Sequence, residues 1–369
     1  MDLVSLWHDA SARVLPADTA VWDSHTHAGS NDPDGVVGTV PRLIEKLDDA
    51  GHSGAVLITS QEPTGYPPAN DRILKEAASA NGRLIPYLRV DPRLGTEAVA
   101  EAERALALGA KGIKMHPRGE AFSISDPTVH EVGRIAATHG VPIMFHAGRG
   151  IPALGEDTLK LIDSIDGLNV ILGHAGISDL SWIGPEAANH PGLFFDTAWW
   201  SMPSILMLFA SVAPDRILYA SDTPYGTPKT ISTVAMRAAA AAGHSDDAMR
   251  AIFGGNLLSL VSGVRPDAVG GPAGPSITPQ DPVISTVYSS FHAALTQMLR
   301  GGDPDEAVSL AKLAVRVPDD HPHAEMFSAV AATMAHIDFE STRRSEIVRP
   351  MLVAGSAVLT PHQPLPSIA

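Results

Sequence analysis

Asp23-Ser24-His25-Thr26-His27 closes an apolar run that opens at Val21-Trp22 and gives way to Ala28-Gly29. In an extended strand, residues two apart project to one face. His25 and His27 therefore stand side by side, as two imidazoles sharing one metal ion must. Asp23 falls on the same face one step deeper, where it is expected to hydrogen-bond a ligand histidine from behind. Two neighbouring histidines also suit an ordinary polar patch, so the reading depends on what closes the later strands.

Seven further short apolar runs follow: 55–60, 84–90, 112–116, 142–146, 170–174, 193–197 and 217–222. Between them lie segments with apolar spacing near three and four, such as 40–50, 71–81, 96–108, 128–139 and 157–165, which predict helices. Gly51, Gly109 and Gly140 sit where such helices would end. Strands separated by helices make a parallel sheet. Eight such units predict a (β/α)8 TIM barrel over residues 1–268, the catalytic domain. A doubly wound sheet is the structural alternative, but it more often carries a glycine-rich turn after its first strand, where this chain has His-Thr-His. Residues 269–282, rich in Gly and Pro, read as a linker. Residues 283–369 read as a helical C-terminal segment, with helices expected over 283–300, 304–317 and 323–339. No chemistry is evident there; His321 and His323 near Asp319 and Asp320 are read as a solvated loop.

The chain has 369 residues, 44% hydrophobic and 18% charged, with a formal charge of -15 and no cysteine. That charge argues against partners such as nucleic acid or an anionic membrane surface. Without thiols, any metal must be held by His, Asp, Glu or a modified Lys. The N-terminus lacks the pattern of a secretory signal and no run is long enough to span a membrane, so the expected location is cytoplasmic.

Barrel enzymes carry their chemistry where strands finish. Strand one offers His25 and His27, strand four Lys114 and His116, strand five His146, strand six His174 and strand eight Asp222. Arg89 ends the third strand, Arg118 and Arg149 follow the fourth and fifth, and Trp199 and Trp200 follow the seventh. In order and spacing, His25/His27, His146, His174 and Asp222 resemble the amidohydrolase superfamily. The chain is similar to the amidohydrolase-related branch that includes aminocarboxymuconate-semialdehyde decarboxylase, over roughly residues 20–262 and including the turn Gly254-Gly255-Asn256. The resemblance implies that His25, His27, His146 and Asp222 hold one divalent metal, and that His174 faces the substrate or a metal-bound water. Three imidazoles and a carboxylate suit Zn2+ first, with Mn2+ or Fe2+ as alternatives. A second metal bridged by carboxylated Lys114, as in binuclear relatives, is the less favoured arrangement; Lys114 is otherwise a contact for an anionic substrate.

The expected reaction is metal-dependent hydrolysis of an amide, ester or lactone by activated water, with Asp222 moving the water proton and His174 stabilising the oxyanion. The alternative is non-oxidative decarboxylation of an aromatic or enoic acid. A sensor or scaffold without catalysis is the third reading, and it has little need for a water-activating carboxylate. Lys114, His116, Arg89, Arg149 and Trp199 are the candidate contacts for a small, carboxylate-bearing substrate. Asn70 reads as a helix cap. A homodimer or larger assembly is expected.

Overall fold

The structure, a computed structural model, describes residues 1–148, 153–274 and 281–368. Eight parallel strands follow one another in chain order around the sheet: β1 (Trp22–Ala28), β2 (Gly54–Thr59), β3 (Leu84–Arg89), β4 (Ile113–Met115), β5 (Ile143–Phe145), β6 (Val170–Leu172), β7 (Leu193–Asp196) and β8 (Ile217–Leu218). β8 is only two residues long, yet the cylinder closes onto β1 at both levels. Ser24 N donates to Tyr219 O at 2.9 Å, Asp222 N to His25 O at 2.9 Å and His27 N to Thr223 O at 2.6 Å. The (β/α)8 barrel expected from the alternation is therefore present.

Its strands are buried on both faces, and so read as near-continuous apolar runs rather than alternating ones. Val56, Ile58, Met144, Ile171, Phe194 and Leu218 fill the interior. Leu257 and Leu260, on the helix Asn256–Val261, belong to the same core and plug the lower end. Asn256 pins that plug by donating to Pro214 O at 2.8 Å and Ile217 O at 2.7 Å. The apolar layers stop where the polar strand ends begin, so the upper end is free to carry chemistry.

Local signals set the helix limits. Asp126 caps the helix Pro127–His139 by accepting from Thr128 N at 2.8 Å, and Gly140 ends it in the left-handed region (φ 64) that glycine adopts without a steric penalty.

Four helices follow the barrel: Pro282–Arg300, Asp305–Ala314, Ala324–His336 and Arg344–Leu359. The first three lie where helices are expected. The fourth was not foreseen, because Pro350 lies inside it and Met351 and Val353–Val358 are all buried, leaving no polar face to mark a period. These helices share one apolar core with Leu3 and Trp7 of the N-terminal helix Leu3–Ala12. Trp7 Nε1 donates to Thr333 Oγ1 at 2.9 Å.

Arg237, on the barrel helix Pro228–Ala241, ties the two cores together. Its guanidinium donates to Thr360 Oγ1 (3.0 Å), Thr360 O (3.0 Å) and Pro364 O (2.6 Å), and lies over the Trp7 ring. Burial lowers its pKa to about 9. Part of the 269–282 stretch read as a linker, residues 275–280, lies outside the described residues. Among the described residues no helix is long and apolar enough to cross a membrane.

Arg237→Ala strands Thr360 O and Pro364 O without donors, and is expected to cost about 3 kcal/mol. Urea unfolding measures that loss, and limited proteolysis should show faster cleavage beyond Leu359. His52 is buried with neither ring nitrogen hydrogen-bonded among the described residues, and burial lowers its pKa from 6.5 to about 3. The unfolded chain takes up that proton first, so this contribution is complete above about pH 6.5 and is lost as pH falls toward 3. Between pH 7 and 5 wild type is expected to lose on the order of 2 kcal/mol more than His52→Leu, read from urea midpoints at the two pH values.

Candidate active site

The site occupies the C-terminal rim of the strands. Its side chains stand just past the last ladder residues: His116 beyond β4, His146 beyond β5, His174 beyond β6 and Asp222 beyond β8. His174 (φ 57) and Asp222 (φ 56) both hold left-handed backbone, uncommon for residues other than glycine. Asp222 is fixed there by its own N–H, which donates to His25 O.

His25 and His27 converge with their Nε2 atoms 3.1 Å apart, and Asp222 Oδ1 lies 3.6 Å from the first and 3.4 Å from the second. Among the described residues these three side chains form the one cluster whose ligand atoms all lie within 4.8 Å of each other. His25 Nδ1 donates to Asp196 Oδ2 at 2.8 Å, and His27 Nδ1 to Thr59 O at 3.4 Å. Those bonds place a hydrogen on each Nδ1 and a lone pair on each Nε2. Two lone pairs and a carboxylate oxygen thus confront one another, an arrangement that calls for positive charge between them. Lys114 supplies part of it, its Nζ donating to His25 Nε2 at 2.8 Å. A divalent ion fits the same donor set.

His146 pairs instead with His174. A second chain of bonds sets their tautomers: His174 Nδ1 donates to Ala198 O at 2.8 Å, and His146 Nδ1 donates to His174 Nε2 at 3.0 Å. His146 Nε2 is left with a lone pair. A Cβ at Gly148 would meet His174 Cδ2 at 2.9 Å and His146 Nε2 at 3.0 Å, so a side chain there would crowd both rings. His116 stacks on His146 with centroids 3.8 Å apart and planes 11° apart. Its Nδ1 accepts from Gly119 N at 3.0 Å, which puts its hydrogen on Nε2.

Burial favours the neutral form of His25, His27, His116 and His146. His25 and His146 lie well below the ordinary histidine value, chiefly from desolvation and then from neighbouring cations. Burial also lowers Lys114 to about 8, against the pull of Asp222 and Asp196. Burial works against ionisation of Asp222, but His174 and the His27 hydrogen bond outweigh it, and its pKa falls below the usual carboxylate value.

Asp196, at the end of β7, was not singled out from the sequence. It is fully buried and accepts from His25 Nδ1 (2.8 Å), His174 N (2.7 Å) and Ala198 N (3.0 Å). It occupies the supporting place expected for Asp23. Asp23 turns instead to backbone, accepting from Ser221 N at 2.9 Å and His25 N at 3.2 Å, because β1 shifts register between Asp23 and Thr26.

Arg89 reaches the cavity, but its guanidinium donates to Glu120 Oε1 at 2.6 Å. Glu120 also accepts from the Tyr66 hydroxyl and from His116 N at 3.0 Å. Asn70 is not a cap: it lies inside a helix and brackets Arg89, donating to its carbonyl at 3.0 Å and accepting from its N–H at 2.9 Å. Trp199 lines the cavity with its ring centroid 6.4 Å from that of His174. Trp200 stacks on His292 of the helix Pro282–Arg300, at 5.3 Å and 17°. Arg149 lies outside the described residues. The whole site opens into one cavity of about 840 Å³.

A search of curated proteins finds no match. Solved structures share the fold at low identity. The 5-carboxyvanillate decarboxylase of Sphingomonas paucimobilis is 15% identical with a TM-score of 0.53, over 66% of this chain and 99% of that one. The 2,6-dihydroxybenzoate decarboxylase of Rhizobium is 16% identical with a TM-score of 0.53, again over 66% and 99%. A 5-carboxyvanillate decarboxylase of Novosphingobium aromaticivorans, complexed with manganese and a nitrobenzoic acid, is 16% identical with a TM-score of 0.53, over 66% and 96%. The family model described as Amidohydrolase matches residues 22–257. That span takes in all eight strands together with the clustered imidazoles and Asp222, and the chain accordingly belongs to the amidohydrolase family.

Proposed function

We propose that this chain is a metal-dependent, non-oxidative decarboxylase of an aromatic or enoic carboxylic acid. The observation that carries this reading is the composition of the cavity. One space joins the His25/His27/Asp222 cluster, the buried ammonium of Lys114 and the flat walls made by His116 and Trp199. A planar anion suits such a slot: cations at the floor meet its charge and aromatic faces meet its ring. The decarboxylases of the same fold support it. Hydrolysis, the first expectation from the sequence, has the same donors but no comparable support from the relatives named above.

His25, His27 and Asp222 would hold the ion, with His146 Nε2 as the neighbouring free imidazole nitrogen. Bound there, a divalent ion, Zn2+ or Mn2+, supplies Lewis acidity toward a substrate oxygen. The chain's own groups do the rest. Lys114 holds a substrate anion by charge. His116 presents its Nε2–H as a donor from the wall. Overall a carboxylate anion and one proton become a C–H bond and carbon dioxide, so a proton must reach the carbon that loses the carboxyl group. Asp222 is the best-placed carrier: its side chain is 19% exposed, against 0% and 8% for His25 and His27. Its low pKa makes it hold that proton only in passing. His174, held through Nδ1 by Ala198 O and through Nε2 by His146, is proposed to orient the substrate.

Two measurements test this. Protein loaded with Mn2+ or Zn2+ is expected to release carbon dioxide from at least one acid in a panel of hydroxybenzoates and enoic acids, and Asp222→Asn to slow that release by about 10²–10⁴-fold. Ester or lactone cleavage without any carbon dioxide release would overturn the proposal. Asp196→Asn weakens the acceptor that orients His25 and is expected to reduce metal affinity about 10–100-fold, read by titrating the metal-free protein with Mn2+ while circular dichroism tracks the fold.

A further inference from the structure

The cavity is not lined by the barrel alone. Met298 and Leu299, at the end of the helix Pro282–Arg300, and Arg344, Val348, Arg349 and Leu352 of the helix Arg344–Leu359 form part of its wall. All lie beyond residue 257, where the family match ends. At about 840 Å³ the space is in the range that buries a drug-sized ligand, more than one small ring fills.

The charge on this added wall is one-sided. Among the described residues Arg349 makes no ion pair, nor do Arg42 and Lys46 on the helix Val40–Asp49. These three groups nonetheless feel one another. Lys46 is lowered to about 8 by burial and then by Arg349 and Arg42, and Arg349 is lowered by burial and then by Arg42. Arg344, which also lines the cavity, is held by its bond to Met298 O at 3.3 Å. Of the nearby acids, Asp32 accepts the Tyr225 hydroxyl and Glu346 pairs with Arg343 at 3.2 Å, whereas Asp34 lines the cavity and Glu45 offsets part of the charge at Lys46. Arg349 is half-buried and, like the exposed Arg344, has no carboxylate partner among the described residues; holding a guanidinium partly out of water without a counter-charge costs free energy. An anion seated against it offsets that cost, and arginine's fork favours an oxyanion.

We infer that the helix Arg344–Leu359 completes the cavity with a second anion-binding subsite, in which Arg349 and Arg344 receive a carboxylate or phosphate at the far end of the substrate from the reacting group. This rests on the reading that the reacting carboxylate sits among the strand ends. The substrate class is then a dianion: a planar acid whose second anionic group reaches the mouth.

The test is a binding measurement that needs no turnover. Mn2+-loaded protein is titrated calorimetrically with benzene-1,4-dicarboxylate and biphenyl-4,4′-dicarboxylate, each against its monoacid, and with 4-phosphonobenzoate to separate phosphate-type from carboxylate recognition. At least one dianion is expected to bind about tenfold or more tightly than its monoacid. Arg349→Gln, or the double change with Arg344→Gln, is expected to erase that advantage and leave monoacid binding intact. Arg134→Gln, on the exposed face of the helix Pro127–His139, removes the same charge away from the cavity and should change neither. Equal affinity for dianions and monoacids in wild type, absence of binding by all of them, or an advantage that survives the double substitution would overturn the subsite. A retained dianion advantage without carbon dioxide release would overturn the decarboxylase reading alone.

Discussion

The site depends on one buried carboxylate that never faces the substrate. Asp196 accepts from the His25 ring and from the backbone of His174 and Ala198, and so joins three separate strand ends through a single group. Burial alone would push such a carboxylate toward its neutral form, and it does raise the pKa of Asp196. The converging donors oppose that cost by stabilising the charged form. In return, the tautomer of His25 is set and its Nε2 lone pair is aimed at Asp222 and His27. The chain of bonds from Ala198 through His174 to His146 performs the same service for the second pair of rings. Ala198 is common to both, giving its N–H to Asp196 and its carbonyl to His174.

The barrel holds this arrangement by closing through the site itself. β8 is too short to complete the cylinder with a regular ladder, and the backbone of Asp222 and Thr223 bonds directly to β1. Catalytic geometry and barrel closure are therefore one set of interactions. Above the rim, the C-terminal helices add a wall that the barrel lacks, and Trp200, stacked on His292, joins the two. Arg237 fixes that wall from outside the cavity, through carbonyls rather than carboxylates.

Much of this was legible in the sequence because burial writes a plain signature. Strands covered on both faces read as short apolar runs, and polar residues at their ends stand out against them. Hence His25, His27, His116, His146, His174 and Asp222 could be named, although the ladders stop before the last four. Asp196 was hidden because Phe194-Phe195-Asp196-Thr197 holds no second ligand type to draw notice, and its importance is purely a matter of what surrounds it in space. Asp23 misled for a related reason: a register shift within β1 defeats simple alternation. The ion pair of Arg89 with Glu120 crosses 31 positions, and no local pattern announces it. The last helix escaped because a segment buried all round carries no stripe, and Pro350 argues against a helix there.

Two of the working residues at the rim hold left-handed backbone, as does Ala175 beside the first. His174 and Asp222 sit where glycine would be at ease. Glycine at either place would relax the main chain but remove an imidazole or a carboxylate from the cavity. The protein thus forgoes some robustness at the two positions where its chemistry is concentrated. Under selection for solubility or heat resistance alone, with activity ignored, these are the positions where drift toward glycine brings a gain, and each such gain discards a working group.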